Sequence, residues 1–298
     1  MSLGQLLLLK QIIAAGDGSA SLPIDELRRN FDRFLSRFPG VDGLHVREAT
    51  LGGVDVEWLE LPESRGDRTV VYLHGGGFVV GSPASHRQAA ARLARAARSR
   101  CIVVDYRRAP EWPYPAALDD VLAVWRELQG SVDTAGLALA GDSAGAGLAI
   151  LATARLAALE LPLPRACVAL SPWVDYAGTT PSLETHAALD PVVQRPGLLK
   201  MAKLYLGDAD PWDPAVTPLR ADLSGLPPTL IQAGGAETLV DDAKRLAARA
   251  EAHGVEVTLD IWPDMVHAWH LFAGRLEEGQ SALDAAGQFL DRRLAGAA

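Results

Sequence analysis

From residue 69 onward the sequence alternates short apolar, β-branched runs with longer stretches of helical spacing. Runs at 69–73, 102–104, 137–140, 168–170, 229–233 and 255–261 read as strands, and stretches at 85–98, 116–128, 144–159, 240–252 and 276–294 read as helices. Strand–helix alternation over this length commits the chain to a largely parallel sheet covered by helices on both faces. Upstream, 44–49 and 54–61 read as two strands joined at Gly52-Gly53, which suits an antiparallel hairpin. Before them, Ile24, Leu27, Phe31, Leu35 and Phe38 recur at helical spacing, so 24–38 reads as an amphipathic helix. The stretch 174–228 breaks the rhythm. It is too long for a bare loop in a compact sheet, so extra helices are expected there, one of them at 196–205.

The balance of residues narrows the function. With 298 residues, 49% hydrophobic and 22% charged, the chain buries a large core and is neither disordered nor a coiled coil. Its net charge of −9 argues against nucleic acid or an anionic membrane surface as the main partner. The only two cysteines, Cys101 and Cys167, both fall in strand-like runs, so a disulfide framework is excluded and reduced thiols in a cytoplasmic protein are expected. Leu6 to Leu9, with Ile12 and Ile13, invite comparison with an export signal, but no Lys or Arg precedes them and Lys10 and Gln11 interrupt them. An amphipathic helix resting on the body of the protein is expected there, with a membrane-surface helix as the alternative. No run approaches the roughly 20 apolar residues of a membrane-spanning helix.

The strongest local signal is Gly141-Asp142-Ser143-Ala144-Gly145, placed between an expected strand and an expected helix. That is the setting of a nucleophile elbow, a turn so tight that the residues two before and two after the serine must be small. The competing reading is an ordinary strand–helix turn with Ser143 as N-cap. A second signal, His74-Gly75-Gly76-Gly77-Phe78, follows the strand at 69–73. Successive glycines let backbone amides approach a ligand, and such amides, with that of Ala144, would bind a developing oxyanion. A flexible loop or a phosphate cradle is the alternative, but neither dinucleotide nor P-loop spacing accompanies these glycines.

A serine hydroxyl needs a general base, and the base needs an orienting acid. Of seven histidines, His267 is the leading candidate because it follows the last expected strand, where parallel sheets place their sites. His270 competes, His74 reads as orienting the glycine loop, and His45, His86, His186 and His253 read as surface or structural. For the acid, Glu237 falls in the loop after the strand at 229–233, whereas Asp241 and Asp242 fall in the first turn of the next helix, where the helix dipole alone explains acids. The order Ser143, Glu237, His267 agrees with the order of an α/β-hydrolase triad.

These two segments, with Asp105-Tyr106-Arg107-Arg108-Ala109-Pro110-Glu111 and Pro115-Ala116-Ala117-Leu118-Asp119-Asp120 between them, resemble the hormone-sensitive-lipase branch of the α/β-hydrolases over roughly residues 40–295. The resemblance implies an α/β fold with an eight-stranded, mostly parallel sheet flanked by helices. It also implies a helical cap built from residues 1–42 and 174–228 over a core of 43–173 and 229–298. It implies a serine carboxylesterase acting on short- to medium-chain esters without metal or organic cofactor, with Ser143 as nucleophile, His267 as base, and Gly75, Gly76, Gly77 and Ala144 supplying the oxyanion donors. Where most relatives carry Asp in the acid segment, this chain has Glu237, which resembles a subset of the family. Arg107, Glu111, Asp119 and Asp120 read as structural, holding the loop of Trp112 and Tyr114. Phe78, Trp173, Trp212, Leu7 and Ile13 either line the acyl and alcohol pockets or are cap core. A lactone, an internal ester, would enter the same chemistry, and a ligand receptor built on the fold is the non-enzymatic rival. The expected partner is a small ester or lactone, with no nucleic acid and no stable membrane insertion, and a homodimer is allowed by resemblance alone.

Overall fold

The computed structural model describes residues 22–130 and 134–295. Leu7 and Ile13, and the apolar run around them, lie outside the described residues. Among the described residues the first element is helix α1 (Ile24–Leu35), followed by β1 (His45–Leu51), β2 (Val54–Glu60) and β3 (Arg65–Leu73). Then come α2 (Pro83–Ala96), β4 (Ser99–Val104), α3 (Ala116–Gln129), β5 (Leu137–Asp142), α4 (Ala144–Ala158) and β6 (Cys167–Leu170). The region 174–228 holds α5 (Ser182–Thr185) and α6 (Arg195–Leu206). After it the alternation resumes with β7 (Thr229–Gly234), α7 (Val240–Ala252), β8 (Val257–Trp262) and α8 (Glu277–Leu294).

The eight strands form one sheet in the order β1-β2-β4-β3-β5-β6-β7-β8. The first hairpin is antiparallel, with Leu51 opposite Val54, and Gly52 and Gly53 turn it at φ 58° and 81°. Two positive φ values in succession are what a tight hairpin needs to match strand twist, and glycine supplies them without strain. β2 also runs antiparallel to β4, and every pairing beyond it is parallel.

Side chains alternate across a strand, so an apolar run fills two layers. In β3, Val71 and Leu73 join α3, α4 and α7 in one core, while Val70 and Tyr72 join α2 and α8 in the other. Leu198, Ala202, Tyr205 and Leu206 of α6 share the first core with Phe78, Trp173 and Tyr176. The helix expected at 24–38 stops at Leu35; Phe38 follows in a turn and packs edge-on against Phe272, 5.1 Å between ring centres. Because six strands are parallel, the loops after β3, β5, β6, β7 and β8 all leave the same end of the sheet, and the candidate residues sit there.

Candidate active site

Ser143 occupies the turn between β5 and α4 with φ 52° and ψ −120°, a conformation in which a non-glycine residue is strained. The flanking glycines are obligatory. A Cβ on Gly141 would stand 2.6 Å from the Gly145 backbone, and one on Gly145 only 2.0 Å from the Leu73 carbonyl oxygen. Ser143 stands at the N-cap position of α4, but its side chain makes no capping hydrogen bond to the helix. Its Oγ lies instead 2.9 Å from His267 Nε2.

The other imidazole nitrogen, Nδ1, lies 3.2 Å from Glu237 Oε2. A carboxylate partner assigns the proton to Nδ1 and leaves Nε2 free to accept from the serine hydroxyl. Both groups are withdrawn from water. Burial pushes the His267 pKa down, but the hydrogen bond and charge of Glu237 outweigh it and hold it above the usual 6.5. Burial raises the Glu237 carboxyl above its ordinary 4.5, against the opposing pull of His267.

The neighbouring acids are engaged elsewhere. Asp241 Oδ2 accepts the Ser182 amide at 3.0 Å, capping α5 rather than its own helix. Asp242 Oδ2 accepts the Val174 and Asp175 amides, each at 2.9 Å, and burial pushes its pKa up to about 7. The glutamate loop is itself pinned, with Thr238 donating its amide to Asp190 Oδ2 at 2.9 Å.

In the glycine loop, Gly75 is already committed: its amide donates to Asp142 Oδ1 at 3.1 Å and lies 3.2 Å from His86 Nε2. It is therefore not available as an oxyanion donor. The next two peptides are aimed by their carbonyls. Gly75 O lies 2.8 Å from His74 Nδ1, and Gly76 O accepts the Val79 and Val80 amides. In a trans peptide the N–H points opposite to the C=O, so anchoring those carbonyls directs the Gly76 and Gly77 amides away from the loop's own contacts. Among the described residues the amides of Gly76, Gly77 and Ala144 donate to no other group. His74 thus orients the loop, and burial drives its pKa well below 6.5, keeping it neutral. Met201 of α6 closes over this loop, since a Cβ on Gly77 would stand 2.2 Å from its sulfur.

His270 packs against Trp269 and hydrogen-bonds Gln232 Oε1 at 3.1 Å, and burial takes its pKa to about 3. Arg107 grips Asp120 with two nitrogens, and Arg28 of α1 does the same to Glu111. Phe78 and Trp173 are fully buried in an aromatic cluster with Tyr106, Tyr176 and Tyr205, Phe78 stacking on Tyr205 at 3.6 Å. Trp212 is half-exposed beneath the Arg220 guanidinium, bordering a surface hollow of about 590 Å³ with Leu219, Arg245 and Arg249. That hollow contains none of the residues around Ser143, so Trp212 stands apart from the site.

Three residues near the site escaped the sequence reading. Asp142 and His86 form the buried polar contact under the glycine loop. Ser171, at φ 45° after β6, accepts the Ala268 amide at 3.1 Å through Oγ, and its hydroxyl favours the ionised form of Glu237. A polar residue at the end of an apolar strand was the available signal for Asp142 and Ser171. His86 carried none. Among the described residues no group of three or more His, Cys, Asp or Glu side chains is arranged to hold a metal ion.

Sheet order, strained serine turn and buried histidine contact together define an α/β-hydrolase. Comparison with known proteins agrees: the family model described as alpha/beta hydrolase fold matches residues 70–271. The chain is 38% identical to an acetyl-hydrolase of Streptomyces hygroscopicus over 97% of each protein. It is 34% identical to an esterase of Acinetobacter venetianus over 88% of this chain and 87% of the relative. A solved esterase from the bacterial hormone-sensitive lipase family superposes with TM-score 0.96 at 41% identity, covering 99% of both chains. The chain belongs to the hormone-sensitive-lipase family of α/β-hydrolases.

Proposed function

We propose that this carboxylic ester hydrolase acts through Ser143 as nucleophile, His267 as general base and Glu237 as orienting acid. The observation that carries the reading is the unbroken contact from Ser143 Oγ to His267 Nε2 at 2.9 Å and from Nδ1 to Glu237 Oε2 at 3.2 Å. Ser143 Oγ attacks the ester carbonyl while Nε2 takes its proton, and the imidazolium that forms is stabilised by Glu237. The carbonyl oxygen, now an anion, receives hydrogen bonds from the amides of Gly76, Gly77 and Ala144. Collapse of the tetrahedral intermediate expels the alcohol, which takes the proton from Nε2. Water then attacks the acyl-enzyme by the same route, with His267 again the base.

The substrate is a short- to medium-chain carboxylic ester, and the acyl side is bounded by Met201 where it closes over Gly77. The name of one relative, acetyl-hydrolase, agrees with a small acyl group, and that of another, esterase, with ester hydrolysis. The described part of 1–42, which carries α1, and 174–228 act as the cap over a core of 43–173 and 229–298. A cytoplasmic location goes with the buried free thiols of Cys101 and Cys167. Among the described residues no helix is long and apolar enough to cross a membrane.

The test combines a serine-directed organophosphorus probe with turnover of p-nitrophenyl esters from acetate to laurate and of lactones. Stoichiometric labelling of Ser143 and preference for the shorter open-chain esters support the reading. An intact protein that never labels and turns over no ester refutes it, and faster lactone turnover would move the substrate class.

A further inference from the structure

We propose that Asp142 is the positioning residue that locks the oxyanion loop onto the nucleophile turn, acting through the Gly75 amide. The proposal rests on the Ser143-centred reading given above and adds a role for the residue just before the serine. A nucleophile elbow needs small neighbours two residues either side of the serine, but nothing in the turn requires an acid next to it. Here that acid is buried, 1% exposed, in a pocket of donors. Oδ1 accepts the Tyr72 hydroxyl at 2.8 Å and the Gly75 amide at 3.1 Å, and Oδ2 lies 3.4 Å from His86 Nε2. A buried carboxylate is costly unless its oxygens are satisfied, and here the donors come from three separate elements. They converge on the one residue that β5 fixes rigidly beside Ser143.

The loop it holds has little order of its own. Three consecutive glycines sample backbone space more freely than any other residues, and their amides must face a point defined by the serine. Asp142 removes that freedom at the first glycine. The loop lies flush on it, since a Cβ on Gly75 would stand 2.2 Å from Asp142 Oδ2. With the Gly75 amide turned to Asp142, the preceding carbonyl, His74 O, faces the Tyr106 hydroxyl at 2.6 Å, and the following one faces the His74 ring. Each peptide plane is thereby set in turn, and the Gly76 and Gly77 amides are referenced to the strand that carries the nucleophile. Oxyanion donors act only when held at the right distance from the developing charge, so the clamp works on the transition state rather than on substrate binding.

The experiment measures kcat, KM and inhibition by a trifluoromethyl ketone, whose serine adduct places an oxyanion in the hole. Asp142→Leu keeps the branched shape of the side chain, with bulkier ends, and removes the acceptor. It is expected to lower kcat by about 10²-fold with KM little changed, and to weaken the ketone by the same factor. Asp142→Asn keeps an oxygen at the Oδ1 position and should restore most of both. If Asp142→Leu does not fold, Gly75→Ala, which drives the loop off Asp142, should show the same paired loss. Unchanged kcat and ketone affinity in a folded variant, or a loss of melting temperature without a loss of ketone affinity, overturns the proposal. Wild-type protein that neither labels at Ser143 nor hydrolyses p-nitrophenyl acetate sinks the triad and the clamp together. If the wild type does both, the variants judge the clamp alone.

Discussion

Glu237 Oε2 reaches His267 Nδ1 at 3.2 Å, whereas Asp241, one helical turn further on, spends its carboxylate on the Ser182 amide. The two acids therefore separate by experiment. Glu237→Gln should lower kcat by about 10²–10⁴, the cost of losing the group that orients and charge-stabilises a catalytic histidine. Asp241→Asn should leave kcat near wild type and cost about 1 kcal/mol of stability, measured by denaturant unfolding. The opposite pattern would place the acid at Asp241.

The same pair sets the pH profile. As the proposed base, His267 can accept a proton from serine only when neutral, so kcat/KM should fall as pH drops through its pKa. Glu237 raises that pKa above 6.5 while burial lowers it. Removing the carboxylate leaves burial unopposed. In Glu237→Gln the acid limb should move to lower pH even as the plateau drops, and a limb that stays put or moves up would contradict the assignment.

Ser143→Ala should abolish ester hydrolysis and leave the melting temperature nearly unchanged. The hydroxyl points to His267 rather than into either core, so its loss opens no apolar cavity. More than residual turnover of p-nitrophenyl acetate by this variant would mean that the nucleophile lies elsewhere.

Met201 bounds the space above Gly77. Met201→Ala should extend the acyl-length profile toward longer p-nitrophenyl esters, raising their kcat/KM relative to acetate. An unaltered profile would show that the thioether packs on the loop without facing the acyl group.

Helix α1 bears on the loop more directly than a pocket lining would. Arg28 donates to the Val79 and Ala109 carbonyls at 2.8 and 2.9 Å, and Phe31 stacks on His86 with ring centres 6.0 Å apart. Removing roughly residues 1–40 should therefore change substrate preference and also lower kcat, with the sheet intact by circular dichroism. Arg28→Ala should reproduce the kcat loss without the change in preference, and a wild-type kcat in Arg28→Ala would confine α1 to a lining role.

What the sequence determined was local: apolar runs of strand length, helices of 3.6-residue spacing, and two motifs whose glycines are demanded by backbone contacts around Ser143 and Gly76. Such features were legible because a strand's period, a turn's sterics and a glycine's freedom act within a few residues. The tertiary structure decided everything that depends on approach between distant segments. Gly75 was indistinguishable from Gly77 in the sequence, and only the Asp142 carboxylate separates a committed amide from a free one. The sequence already placed Glu237 in a loop and Asp241 in the first turn of a helix, and α7 does begin at Val240; the packing decided that Glu237 faces His267 while Asp241 faces α5. Trp212 and Trp173 looked alike as aromatic pocket candidates, but one stands on the surface under Arg220 and the other is buried against Phe78 and Tyr176. Residue type limits what chemistry a position can do; which partner it meets is set by the packing of the sheet and the helices around it, and no local pattern encodes it.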